Sequence, residues 1–130
     1  MTKEKEPIHQ KKIIVIDDEK DICDFLCDVL KEHGFDVTAV YSGSDALENL
    51  QAIEPDLIML DVILPDVDGI SVYEMYHKKT GNLTPVIFFT TLAGSLPPNF
   101  IRQMHGIPYA LVPKPIKEDI LIKEIKKLLS

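Results

Sequence analysis

The chain alternates five times between a short, mostly apolar run and a segment whose apolar residues recur at helical spacing. The runs are Lys12 to Ile16, Asp36 to Val40, Leu57 to Leu60, Val86 to Phe89 and Ala110 to Val112. Short β-branched runs of this kind are typical of strands that are buried on both faces of a parallel sheet. Because strands alternate with helices, we predict an α/β fold with right-handed crossovers.

The segments between the runs carry start and stop signals for helices. Gly34 supplies a left-handed stop after a first helix over Asp21 to His33, and Ser42 caps the second helix. Tyr73 and Tyr76 are expected at the surface of the third helix or at the edge of the core. The remaining helices are predicted from about Ser71 to Lys79, as a short helix starting near Pro98, and along an apolar stripe from Leu121 to Leu129.

Pro113 indicates which strand lies at the edge of the sheet. Proline has no backbone N–H group, so it is tolerated best in an edge strand, and the fifth strand should therefore be outermost. The strand order 2-1-3-4-5 places it there. We therefore predict a flavodoxin-like, doubly wound, five-stranded parallel sheet with helices on both faces.

Size and charge limit the functions that the chain can have. With 130 residues and 45% hydrophobic content it is the size of one domain, which we expect over residues 11–130 after a flexible leader, residues 1–10. A net charge of -7 disfavours nucleic acid as the main ligand. No apolar run reaches the about 18 residues of a membrane span, no signal peptide is apparent, and Cys23 and Cys27 suit reduced thiols, so a cytoplasmic protein is expected.

Polar and charged residues follow the predicted strands where ligands bind in such sheets, beyond the carboxyl ends. They are Asp17 and Asp18 after the first strand, Asp61 after the third, Thr90 and Thr91 after the fourth and Lys114 after the fifth. Carboxylates brought together repel one another, and Mg²⁺, which prefers oxygen ligands, removes that repulsion. A carboxylate can then attack phosphorus while a metal, a lysine and a hydroxyl neutralise the phosphoryl oxygens.

Other phosphate ligands fit this rim poorly. A flavin or dinucleotide site needs a glycine- or hydroxyl-rich loop after the first strand, and here Asp17, Asp18 and Glu19 occupy that loop. Their charge would repel a phosphate. The sequence also contains neither a GxGxxG nor a Walker motif.

Five sequence motifs together carry a resemblance to a known family. They are Val15-Ile-Asp-Asp-Glu19, Pro55-Asp-Leu-Ile-Met-Leu-Asp61, Pro65-Asp-Val-Asp-Gly69, Pro85-Val-Ile-Phe-Phe-Thr90 and Lys114-Pro115. With these motifs the sequence closely resembles receiver domains of two-component response regulators, over nearly all of Lys11 to Ser130. The resemblance implies a signalling domain, not a turnover enzyme. It further implies a sensor histidine kinase or phosphotransfer protein as donor, a downstream protein or effector domain as output, and a possible homodimer on phosphorylation, without nucleic acid or membrane contact.

The resemblance also implies a role for each site residue. Asp61 is the phosphoacceptor, Asp18 ligates Mg²⁺ directly, Asp17 does so mainly through water, the backbone carbonyl of Ile63 completes the metal site, Thr90 hydrogen-bonds the phosphoryl group, and Lys114 pairs with it. The peptide bond between Lys114 and Pro115 is expected to be cis, which aims the lysine inward.

Several positions depart from the family pattern. Thr91 stands where the family has a small residue, and Leu111 stands at its aromatic switch position, with Tyr109 as a possible substitute. Ile63 and Leu92 are apolar at positions that influence water access, from which we predict slow self-dephosphorylation.

Two other functions compete with this reading. An aspartyl phosphatase of the haloacid-dehalogenase type needs a second Asp two residues after its nucleophile as acid and base, and that position is Ile63. A pseudo-receiver, which would act as a protein-interaction module without phosphate turnover, stays open as an alternative because of Thr91 and Leu111. The set of Asp17, Asp18, Asp61, Thr90 and Lys114 weighs against it.

Overall fold

The structure is a computed structural model that describes residues 10–90, 96 and 99–130. Five strands and five helices alternate within these residues. They are β1 (Lys12–Ile16), α1 (Lys20–Glu32), β2 (Asp36–Val40), α2 (Gly43–Ile53), β3 (Leu57–Asp61), α3 (Gly69–Thr80), β4 (Val86–Thr90), α4 (Phe100–Gln103), β5 (Tyr109–Pro113) and α5 (Glu118–Leu129). Residues 1–9 of the predicted leader lie outside the described residues, and the domain bounds stay a prediction.

The five strands form one parallel sheet in the order β2-β1-β3-β4-β5, which confirms the predicted fold. Pro113 lies in the edge strand β5 opposite Thr90, at a position where a missing backbone donor is tolerated. The strand order reverses between β1 and β3, which are paired from Ile13 with Leu57 to Ile16 with Leu60. The carboxyl ends of these two strands therefore border the crevice in which such folds bind ligands.

Alternate residues of the strands supply two separate hydrophobic cores. Ile14, Ile58 and Phe88 pack with α2, α3 and α4 on one face of the sheet. On the other face, odd-numbered neighbours such as Val15 and Met59 pack with α1 and α5. Every residue of β3 is buried, as expected for a central strand covered by helices on both faces.

Local signals account for several helix ends. The Ser42 hydroxyl accepts a hydrogen bond from the Asp45 N–H group (3.2 Å), and Gly34 has a φ of 90°, so both predictions are confirmed. Helix α3 begins at Gly69, before the predicted Ser71, because the Asp68 carboxylate caps it by accepting from the Ser71 N–H group (2.9 Å). Helix α4 is short, as predicted.

Two tyrosines of α3 were predicted at the helix surface or the edge of the core, and that prediction was wrong. Tyr73 and Tyr76 are fully buried, and both hydroxyl groups bind Thr84 just before β4. Each ring can enter the core because its hydroxyl group finds a hydrogen-bond partner at the end of the next loop.

In residues 10–90, 96 and 99–130, no helix combines the length and hydropathy that crossing a membrane requires.

Candidate functional site

Three carboxylates meet at the carboxyl ends of β1 and β3. Asp17 follows β1 and has no exposed surface, Asp61 ends β3 and is 4% exposed, and Asp18 is exposed. One carboxylate oxygen from each of the three lies within 4.8 Å of the others. The strand order thus brings together acids that are 44 positions apart along the chain, as the sequence led us to expect.

Asp17 is held from several sides. Its N–H group donates to the Val40 carbonyl (3.1 Å), and its own carbonyl accepts from the Cys23 thiol (3.3 Å). In the carboxylate, Oδ1 accepts from the Glu19 N–H group (2.9 Å). Among the described residues, Oδ2 has no well-directed hydrogen-bond donor, although Lys114 Nζ lies 2.9 Å away as an ion-pair partner. One buried oxygen therefore keeps a lone pair for another ligand.

The two carboxylate oxygens of Asp61 have different partners, a backbone N–H group and a cation. Oδ1 accepts from the Ile63 N–H group (2.9 Å), and Oδ2 accepts from Lys114 Nζ (2.7 Å). Behind it, a Cβ atom at Gly69 would lie 2.1 Å from the Asp61 carbonyl oxygen, so only glycine allows α3 to start this close. The Gly69 N–H group closes the β3–α3 loop by donating to the Val62 carbonyl (2.8 Å).

Lys114 links the acids of both strands. Its Nζ lies 2.7 Å from Asp61, 2.9 Å from Asp17 and 3.2 Å from Glu19, with only 8% of the side chain exposed. The bond from Lys114 to Pro115 is cis, as predicted. The contact with Glu19 was not predicted. The only sequence signal for it was a third acid directly after Asp17 and Asp18.

The pKa values of Asp17 and Lys114 are both raised, but for different reasons. Burial raises the pKa of Asp17, and the hydrogen bond from Glu19 and the contact with Lys114 offset part of that rise. For Lys114, burial works to lower the pKa, but the hydrogen bond to Asp61 and the close contacts with the charges of Asp61 and Asp17 outweigh it and leave the pKa raised. Lys114 therefore stays a cation at neutral pH, while the charge on Asp17 is unfavourable to the fold.

The residues at this rim fit a magnesium ion. An open cleft of ≈ 350 Å³ is lined by Asp18, Glu19, Asp61, Ile63 and Lys114, together with Leu64 and Pro65. The available donors are carboxylate and backbone oxygens, which Mg²⁺ prefers, and Oδ2 of Asp17 has a free lone pair. A divalent cation would also offset the charge of three neighbouring acids.

Other residues singled out from the sequence lie in β4, in β5 or outside the described residues. Thr90 ends β4, but its side chain, like Thr91 and Leu92, lies outside the described part of the chain. Leu111 projects from β5 with 44% of its surface exposed. Tyr109 packs edge-on against the Phe100 ring, with centroids 5.3 Å apart. The assigned roles of these residues stay predictions.

Comparisons with known proteins agree with this arrangement. The family model for the response regulator receiver domain matches residues 13–126. The structure resembles the Vibrio cholerae chemotaxis protein CheY4 with a TM-score of 0.80 and 23% identity, over 92% of this chain and 99% of that chain. A Francisella response regulator receiver domain matches at 0.78 and 30% identity, over 92% and 97%. A two-component response regulator from Clostridium difficile matches at 0.78 and 27% identity, over 92% and 96%.

Proposed function

The chain belongs to the response regulator receiver domain family, and from that premise we propose that Asp61 accepts a phosphoryl group from a sensor histidine kinase or a phosphotransfer protein. The observation that carries the proposal is the position of the Asp61 carboxylate. It lies within 4.8 Å of the Asp17 and Asp18 carboxylate oxygens and 2.7 Å from the Lys114 ammonium group. Such a site combines a nucleophile and two further acids that can hold a metal ion with an ammonium group that compensates negative charge.

In the proposed transfer, an Asp61 carboxylate oxygen attacks the phosphorus of a phosphohistidine. A P–O bond forms to Asp61, the P–N bond to the donor imidazole breaks, and the electron pair leaves with the imidazole nitrogen, which takes up a proton. The Ile63 N–H group holds Oδ1 of Asp61 and so fixes the carboxylate for this attack. The product is an aspartyl phosphate.

The remaining residues handle charge. Asp18, Asp17, Asp61 and the Ile63 carbonyl would hold Mg²⁺, which when bound neutralises the acids and the phosphoryl oxygens. Lys114, already a cation beside Asp61, would pair with a phosphoryl oxygen. The Thr90 hydroxyl would donate a hydrogen bond to a second phosphoryl oxygen. Stabilising the phosphorylated form in this way favours a different surface shape, which a downstream partner, an effector domain or a second copy would recognise.

One observation favours a second function. Lys114 already forms ion pairs with Asp61 and Asp17, so the cluster is partly neutralised without a metal. A pseudo-receiver, in which this ion-paired rim only supports a protein-binding surface, is therefore the alternative. The two functions differ in whether Asp61 becomes covalently modified.

The test is incubation with Mg²⁺ and acetyl phosphate followed by intact mass spectrometry. The native protein and Asp28→Asn, which alters an exposed acid of α1, are expected to gain one phosphoryl group. Asp61→Asn should gain none because the amide is not a nucleophile. Equal labelling of Asp61→Asn would remove Asp61 from its role, and no labelling of the native protein would favour the pseudo-receiver. Hydrolysis of the product over time tests the predicted slow self-dephosphorylation.

A further inference from the structure

Asp66 ties the loop after Asp61 to a different helix. Its Oδ1 accepts from the Gly43 N–H group (3.0 Å) and its Oδ2 accepts from the Ser44 N–H group (2.9 Å). These residues begin α2 and lie 23 and 22 positions away along the chain. The first N–H groups of a helix have no partner within the helix, so a carboxylate that binds two of them is well anchored.

Asp66 shares the capping of α2 with a residue of the helix's own segment. Ser42 already serves as its N-cap, with a hydroxyl that accepts from the Asp45 N–H group (3.2 Å). What distinguishes Asp66 from Ser42 is that its two hydrogen bonds also attach a second segment, the loop that carries it, to α2. Hydrogen bonds from Ser44 and Gly43 lower the pKa of Asp66, so the carboxylate stays ionised at neutral pH.

An apolar contact beside Asp66 fixes the same loop. Val67 packs against the core on the α2 and α3 side of the sheet. A Cβ atom at Gly43 would lie 2.1 Å from Cγ1 of Val67, so the glycine is what allows this approach. The loop is thus held on α2 by two polar contacts and one apolar contact at neighbouring residues.

The other end of the loop is part of the site. The Ile63 N–H group donates to Oδ1 of Asp61, and the Gly69 N–H group donates to the carbonyl of Val62. These bonds close the loop at its ends, and Asp66 attaches the stretch between them to a separate element. Ile63 is thus fixed on one side by its own bond to Asp61, and on the other side the path of the loop depends on the attachment of Asp66 to α2.

We propose that Asp66 is a positioning residue that holds the β3–α3 loop on the N-terminus of α2 and so places the Ile63 backbone carbonyl for the metal. The inference rests on the proposed function, because it takes Ile63 as a metal ligand. A ligand that is fixed before the metal arrives need not be ordered on binding, so removing the anchor weakens affinity.

Calorimetric titration with Mg²⁺ alone tests the proposal. Asp66→Ala should weaken affinity about tenfold, the low end for residues that orient metal ligands. Asp66→Asn, which keeps one acceptor oxygen, should lose less. Ser42→Ala is the matched control, since it removes a cap from the same helix without touching the loop, and it should keep the native affinity. Amide hydrogen exchange should be faster at Ile63 in Asp66→Ala and unchanged there in Ser42→Ala.

The outcomes separate the two proposals. If the native protein binds Mg²⁺ and Asp66→Ala binds equally well, the positioning role is wrong while the proposed function stands. An equal loss in Asp66→Ala and Ser42→Ala would mean that helix capping alone is responsible, and that also overturns it. If the native protein binds no Mg²⁺, the proposed function itself fails. If Asp66→Ala does not fold, Asp66→Asn takes its place in the test. The proposal is then contradicted if Asp66→Asn keeps both the native Mg²⁺ affinity and the native amide exchange rate at Ile63.

Discussion

The two ends of the sheet bury polar groups in opposite ways. At the amino-terminal end, the Tyr73 hydroxyl donates to the Thr84 carbonyl (2.5 Å), and the Tyr76 hydroxyl pairs with Thr84 Oγ1 (2.6 Å). At the carboxyl-terminal end, buried acids meet one lysine, and Oδ2 of Asp17 has no well-directed donor among the described residues. A neutral cluster that satisfies itself supports the fold, whereas a charged and incompletely paired one indicates a ligand site.

The largest effect is expected from Lys114→Met. Without the ammonium group, the acids at the rim lose their counter-charge, and the free energy of unfolding should fall by about 3 kcal/mol. Mg²⁺ should restore part of that loss by binding the same acids. Urea unfolding with and without Mg²⁺ measures both effects. Lys127→Met is the control, because Lys127 is exposed and lies 3.8 Å from Glu124. Equal losses for the two variants would contradict the special role of the rim.

At the amino-terminal end of the sheet, Tyr76→Phe is expected to cause a smaller loss in the free energy of unfolding. Removing this hydroxyl leaves Thr84 Oγ1 without its partner, which should cost about 1–2 kcal/mol in the free energy of unfolding. Phosphorylation and Mg²⁺ affinity should not change. Tyr41→Phe, at a tyrosine with 44% of its surface exposed, is the control and should unfold like the native protein. A loss of Mg²⁺ binding in Tyr76→Phe would break the contrast between the two ends.

A pH-dependent difference is expected from Asp17→Asn. The Asp17 pKa is raised in the folded protein from its ordinary value of 3.8, so the folded state holds the proton more tightly than the unfolded state. The stabilisation that comes from binding this proton is fully present below pH 3.8 and is lost as the pH rises through the raised pKa of Asp17. Without Mg²⁺, Asp17→Asn should therefore gain stability relative to the native protein as pH rises across that window. Urea unfolding over this range measures the gain, and a constant difference would contradict it.

The smallest effect is expected from Glu19→Gln. Glu19 lies 3.2 Å from Lys114, but 61% of its side chain is exposed, so water screens the pair. Removing the Glu19 charge should change the free energy of unfolding by about 0.5 kcal/mol or less. A change as large as that in Lys114→Met would mean that Glu19, and not Asp17 or Asp61, balances the lysine charge.

The sequence predicted the elements that follow from local chemistry. The β-branched runs defined the strands, and Pro113 indicated the edge of the sheet. Once the strand order was known, Asp17, Asp61 and Lys114 had to approach one another, because parallel strands end at one rim. The prediction of the rim needed no information about side-chain packing.

The contacts that could not be predicted depend on tertiary neighbours. Asp66 carries no local signal for a role at α2, because its partners become adjacent only when the loop folds back. Tyr73 and Tyr76 showed no more than helical spacing, and Thr84 as their partner follows from the path of the loop. Asp68 was different, because an acid before Ser71 is a recognisable cap.

The central claim is that the rim makes Asp61 chemically reactive toward phosphorus. Its most direct test is reduction with borohydride after treatment with acetyl phosphate, since an aspartyl phosphate is converted to homoserine, followed by peptide mass spectrometry. With Mg²⁺ present, homoserine should appear at position 61, and a chelator should abolish it. Homoserine at another acid, or none at all in folded protein that binds Mg²⁺, would contradict the account.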